Sequence, residues 1–150
     1  MEKINLDAIL DAMEKECEAV FAADASYHAH GKRGMYVVEL RDARRENQWN
    51  SALRNFGAVW NEPGAEGEII INNGDNFDAT VHGKIAYSRR TLKNSGAHYY
   101  QVLGSESWWK GAIISSDKKC ICAFSGLKGV DDVKIAEAGI AEYNRQKGLR

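Results

Sequence analysis

The residues with the clearest chemical potential lie in the last third of the chain, where a predicted strand gives way to a predicted helix. Ser125, Gly126, Lys128 and Gly129 combine a hydroxyl, a cation and two glycines that permit close backbone approach. The first N–H groups of a helix have no partner within the helix and favour anions. We therefore predict these four residues as contacts for a small ligand that carries a carboxylate. The two aspartates at the same helix start oppose a polyphosphate, and a plain turn with acidic capping is the alternative.

A second candidate region is the loop Gly57–Gly67, which holds three glycines and the only proline of the sequence. Trp60 lies in this loop, and we predict it as a fifth ligand contact. A pocket beneath the loop could also hold an enzyme site, with His82 or His98 as the general acid or base. No nucleophile motif accompanies either histidine, so no catalytic residue is assigned.

The remaining histidines and the cysteines indicate no metal site. His28 and His30 form an H-x-H pair, but no carboxylate or cysteine lies at a ligand spacing around them. Cys120 and Cys122 fall on one face of a predicted strand, and Cys17 on the apolar face of a predicted helix. Because three is an odd number and no secretion signal precedes them, we expect reduced, at least partly buried thiols.

Composition narrows the class of protein. The chain has 150 residues, of which 44% are hydrophobic and 27% charged, with a net charge of −1. These values are typical of one globular domain, here residues 1–150, and exclude a disordered or coiled-coil chain. The absence of a basic excess argues against nucleic acid as a partner. No apolar run approaches the ~20 residues of a membrane span, so we expect a cytoplasmic protein without a membrane partner.

The predicted elements favour an α+β fold, with a single antiparallel sheet of about six strands and two or three packed helices. Trp49, Leu53 and Phe56 recur at helical spacing, whereas Ala79, Val81, Gly83, Ile85 and Tyr87 alternate as in a strand. Asn73-Gly74 is a strong hairpin turn before that alternating segment. The predicted helices are Leu6–Phe21, Glu46–Phe56 and Asp131–Arg145, and the strands are Met35–Leu40, Glu68–Asn72, Phe77–Ser88, His98–Leu103, Trp108–Ser115 and Lys119–Ser125.

Residues 107–143, about a quarter of the chain, resemble the C-terminal part of the haem-binding and haem-degrading GlcG/HbpS-like family. The shared pattern is a strand hairpin, a Ser-Gly dipeptide, an acidic helix start and an Ala-rich helix face. The resemblance implies a profilin-like layer, a homo-oligomer, and haem or another small molecule as cofactor. It transfers no haem ligand, because the matching part offers no histidine or tyrosine that aligns. The matching segments are Trp108–Ser115, Asp117-Lys118-Lys119, Cys120–Phe124, Ser125-Gly126, Asp131-Asp132 and Ala136–Ala141.

Three functions of different classes follow from these observations. The first is a small-ligand-binding or accessory domain without assignable catalysis. The second is an enzyme with a histidine acid or base under the 57–67 loop. The third is a structural or interaction subunit of an oligomer, in which exposed aromatic side chains anchor an interface.

Overall fold

The computed structural model describes residues 3–42, 44–57, 77–96 and 110–149. These residues form three α-helices, four strands and one short 3-10 helix, Ala25–His30. In chain order the main elements are α1 (Leu6–Ala23), β1 (Met35–Asp42), β2 (Arg45–Asn55), α2 (Phe77–Thr91), β3 (Ala112–Ile114), β4 (Cys120–Ser125) and α3 (Gly129–Lys147).

The four strands form one sheet in the order β2-β1-β4-β3, and every neighbouring pair is antiparallel. This arrangement confirms the α+β class and the antiparallel sheet. The described sheet has four strands instead of about six, and the predicted strands Glu68–Asn72 and His98–Leu103 lie outside the described residues. β3 falls within the predicted strand Trp108–Ser115 but is only three residues long.

Helices cover the two faces of the sheet. α1 and α3 pack on one face, where the core contains Tyr36, Cys122 and Phe124. α2 packs on β4, β1 and β3 from the other side, where Val37, Val81 and Ile121 form a second core. None of the three helices is long and apolar enough to cross a bilayer, among the residues described.

The first and last helices confirm the predictions from apolar spacing. α1 begins after Asn5, whose side chain accepts a hydrogen bond from the Ala8 N–H at 3.1 Å. All three cysteines are free and buried, as predicted. Burial raises the pKa of Cys17 to about 12, because the apolar core disfavours a thiolate.

The predicted helix Glu46–Phe56 is wrong, because this segment forms strand β2. Its register with β1 places Leu53 opposite Val37, on the face that α2 covers elsewhere. Residues four apart share a face in a helix and also in a strand, so the spacing of Trp49 and Leu53 fits both structures. Pairing with the buried strand β1 decides between them.

The predicted strand Phe77–Ser88 is also wrong, because these residues lie in helix α2. The buried side chains Val81, Lys84, Ile85 and Ser88 recur at helical spacing. Two of these four residues, Lys84 and Ser88, are polar. Apolar residues alone therefore gave the alternation from Ala79 to Tyr87, which is typical of a strand. The Asn73-Gly74 turn that supported the strand lies outside the described residues.

Gly139, where α3 contacts α1 and β4, allows a test of this packing. A Cβ added at Gly139 would lie 2.7 Å from the Cys122 Sγ and 2.8 Å from the Met13 Cγ. We expect Gly139→Val to lower the free energy of unfolding by about 1–3 kcal/mol, because the added methyl groups overpack the core. Ala141→Val, on the exposed side of the same helix, is the control. Equal urea midpoints for the two variants would contradict the close approach of α1 and α3.

Candidate functional site

The junction between β4 and α3 contains the four ligand contacts predicted there. Ser125 is buried at the end of β4, and Gly126 follows with φ +152°. A Cβ at Gly126 would lie 2.3 Å from the Arg33 carbonyl oxygen and 2.6 Å from the Gly34 Cα. The backbone approach that Gly126 permits is therefore used by the protein's own chain.

Lys128 is bound to the segment that follows α1. Its Nζ lies 3.0 Å from the Asp24 Oδ2 and 5.4 Å from the centre of the Tyr27 ring. Its backbone N–H donates to the Tyr27 hydroxyl at 3.0 Å. The side chain is still 60% exposed, so its cation remains accessible from solvent.

Gly129 lies beside Lys110. Among the described residues, a Cβ at this position would make one ordinary van der Waals contact, with the Lys110 Cβ at 3.7 Å. The structure thus brings Ser125, Gly126, Lys128 and Gly129 together, with a second lysine nearby. Trp60, the fifth predicted contact, lies outside the described residues.

A tyrosine and two carboxylates complete the polar surroundings of this helix start. The Tyr27 hydroxyl donates to the Asp131 Oδ2, and burial together with this bond raises the pKa of Tyr27. Hydrogen bonds from Ser26 and then from Lys128 lower the pKa of Asp24 to about 2. Asp24 is therefore an anion over the whole physiological pH range.

The buried partner of Asp132 is Lys84 of α2, a residue that no sequence motif singled out. The Lys84 Nζ donates to the Asp132 Oδ2 at 2.9 Å and to the Phe124 carbonyl oxygen at 2.8 Å, and its side chain is 1% exposed. The other oxygen of Asp132 accepts from the Leu127 N–H at 3.0 Å. This ion pair thus joins the helices on opposite faces of the sheet, at the C-terminal end of β4.

Burial acts against the charged form of both partners. It lowers the pKa of Lys84, and it raises the pKa of Asp132 to about 6 although the nearby ammonium opposes that shift. The pair is held by hydrogen bonds from the backbone and has no opening to solvent in the described residues. We assign it a structural role. No group of three potential metal ligands occurs in the described part of the chain.

A different arrangement of polar groups lies at the other edge of the sheet, along β2. The Phe56 N–H donates to the Gly34 carbonyl oxygen, so the even-numbered residues of β2 direct their backbone groups towards β1. The odd-numbered residues, Trp49, Ser51, Leu53 and Asn55, direct theirs away from the sheet. Within residues 3–57, 77–96 and 110–149, apart from residue 43, no strand pairs with this side of β2.

Along this edge, apolar side chains (Trp49, Leu53) alternate with polar ones (Ser51, Asn55). Leu53 is 54% exposed, and Trp49 packs partly against the core beneath α2. Ser51 donates to the Glu39 Oε1 at 2.8 Å, and Arg89 of α2 donates to the same carboxylate at 3.1 Å. α2 therefore ends over β1 and leaves Leu53 uncovered.

Of the two histidines proposed as acid or base, His82 lies on the exposed side of α2. Its Nδ1 lies 2.8 Å from the Asp78 carbonyl oxygen and 2.9 Å from the Asp78 Oδ1. His98 and the loop residues 58–67 are outside the described residues. The pocket beneath that loop stays a prediction.

Comparison with known proteins adds no assignment, since neither a protein-family model nor a curated protein matches this sequence.

The buried ion pair gives a direct test of the junction. We expect Lys84→Met to lower the free energy of unfolding by about 3–5 kcal/mol, because it leaves the Asp132 carboxylate buried without its cation. Lys84→Met with Asp132→Asn should regain much of that loss, since the amide oxygen can still accept from Leu127. Chemical denaturation of both variants measures the difference.

The pH dependence of the single variant follows from the same burial. A carboxyl whose pKa is raised in the folded protein contributes stability below its unfolded pKa and loses it as pH rises. The destabilisation by Lys84→Met should therefore be larger at pH 8 than at pH 5. A loss that is independent of pH, or a double variant as unstable as the single one, would contradict a charged pair.

Proposed function

We propose that this chain is an interaction subunit that binds its partner by strand pairing along β2. The observation that carries this proposal is the outer edge of β2, where four residues direct backbone N–H and C=O groups away from β1 beside the exposed Leu53 and, among the described residues, meet no partner strand. Unpaired edge groups are a template for another strand. An interaction subunit was one of the three functions that the sequence left open.

The composition of β2 supports a binding role for this edge. Edge strands that avoid association are short or carry lysine, proline or inward-pointing charge. β2 has eleven residues and contains neither lysine nor proline. Its arginine in the regular ladder, Arg54, is held by Asp11 and Glu14 at 2.8 and 2.7 Å. Asp11 and Glu14 of α1 thereby neutralise this cation within the chain.

We also place the protein in the cytoplasm. The three buried cysteines are free, and the Sγ atoms of Cys120 and Cys122 lie 3.9 Å apart in a thiol–thiol hydrogen bond, without a disulfide. Free thiols at this separation fit a reducing compartment.

A pair of variants at Ser51 tests the proposed function. The Ser51 N–H points away from β1, so Ser51→Pro removes an edge donor without removing a ladder bond. Ser51→Ala is the matched control, because both variants lose the hydroxyl bond to Glu39. We expect the full chain, isolated from the cells that make it, to exceed the monomer mass of 16.7 kDa in native mass spectrometry. The alanine variant should keep this assembly and the proline variant should lose it.

Either of two results would overturn the proposed function. One is a monomer mass for the unaltered chain, and the other is an assembly that survives Ser51→Pro. Circular dichroism of the proline variant checks that the isolated chain is still folded.

Small-ligand binding at the β4–α3 junction is a second candidate function. The accessible cation of Lys128 favours it, and the resemblance to GlcG/HbpS-like proteins suggests haem as the ligand. Because the other polar groups there already have partners within the chain, we rank it below strand pairing. The enzyme with His82 or His98 stays a prediction.

Haem titration tests this second function. If a haem propionate binds at the junction, Lys128→Glu should weaken binding, because it replaces the accessible cation with an anion. Lys134→Glu is the control, since the two lysine side chains are equally exposed, at 60%. Equal affinities for the two variants, or binding no tighter than to an unrelated protein, would exclude a haem site at this place.

A further inference from the structure

We propose that the strand received by β2 is β2 of a second copy of this chain, paired antiparallel about a two-fold axis at Ala52. The two four-stranded sheets would then continue as one eight-stranded sheet. This inference rests on the proposed function and adds the identity and register of the partner.

The hydrogen-bonding pattern selects the register. The ladder between β1 and β2 is regular from Met35↔Asn55 to Arg41↔Trp49, and its register shifts beyond that pair. The middle of the regular part of β2 is Ala52. An axis there pairs residue 49 with 55 and residue 51 with 53 of the second copy. All four outward-facing residues then find a partner in the regular ladder, and any other antiparallel register leaves at least one of them without one.

The side chains also fit a second copy in this register. Leu53 lies opposite Ser51 of the other strand and diagonal to the other Leu53, at about 7–8 Å, which long side chains can bridge. On the opposite face, Ala52 meets Ala52, and Arg54 lies opposite Asn50. No two like charges face each other across the axis. The edge is therefore complementary to itself, as a two-fold interface requires.

The surface beside Ala52 leaves room for this approach. An open cleft lined by Ile4, Leu6 and Ala52 runs between the start of α1 and β2. Ala52 has a small side chain, which permits the close Cα separation of a non-hydrogen-bonded pair. The N–H and C=O groups of Ala52 point towards β1, so Ala52 cannot exchange hydrogen bonds with the second copy. The register therefore predicts a non-hydrogen-bonded pair at this position.

Cysteine cross-linking tests the register directly. Two Ala52 residues across the axis would have Cα atoms about 4.5 Å apart, within the range of about 4.4–6.8 Å that a disulfide spans. Asn50→Cys is the matched control, because it lies on the same face but four residues out of register with its copy. We expect the purified Ala52→Cys chain to form a covalent dimer under mild oxidation and the Asn50→Cys chain to stay uncoupled. The native cysteines are buried and do not compete.

Sedimentation of the purified, unaltered chain keeps the test independent of any variant. A dimer of twice 16.7 kDa is expected, and Leu53→Asp should raise its dissociation constant by about tenfold or more, because the two carboxylates face each other diagonally. A monomer at all concentrations, no cross-link through Ala52, or equal cross-linking through Asn50 would overturn the inference. If the chain is then still assembled in cells and released by Ser51→Pro, strand pairing stands and the partner is another protein.

Discussion

The buried ion pair between Lys84 and Asp132 is the constraint on which the rest of the structure depends. It joins α2, on one face of the sheet, to the start of α3, on the other, and it also holds the Phe124 carbonyl at the end of β4. A charge pair buried to this degree is costly to separate, because either partner alone would remain desolvated. The two helix layers are therefore fixed at the β4 side of the sheet.

This anchoring explains why the open side of the sheet is β2. α2 is held over β4 and β1 by Lys84 and by the bond from Arg89 to Glu39, so it does not extend over Leu53. The junction at β4 uses its glycines and most of its polar groups for internal contacts, whereas the outward backbone groups of β2 meet no partner strand in the part of the chain that the structure describes. The chemistry available to another molecule thus lies mainly on the side of the sheet away from the ion pair.

Apolar periodicity predicted α1, β1, β4 and α3, and it failed at β2 and α2. α1 and β4 followed from their apolar residues, but Lys84 and Ser88 disguised the buried face of α2. The β2 edge could not be predicted, since a four-residue spacing is common to helices and strands and only pairing with β1 resolves it. Ser125, Gly126, Lys128 and Gly129 lie together because neighbours in sequence at a strand-to-helix turn stay neighbours in space, and their role as ligand contacts stays a prediction.

Amide hydrogen exchange of the assembled, full-length chain tests the central claim that β2 pairs with another strand. The N–H groups of Ser51 and Leu53 should exchange slowly in the assembly and rapidly in the monomer that the native chain forms at high dilution. The N–H groups of Ala52 and Arg54, which face β1, should be protected in both states. Rapid exchange at Leu53 in the assembled protein would contradict strand pairing at this edge.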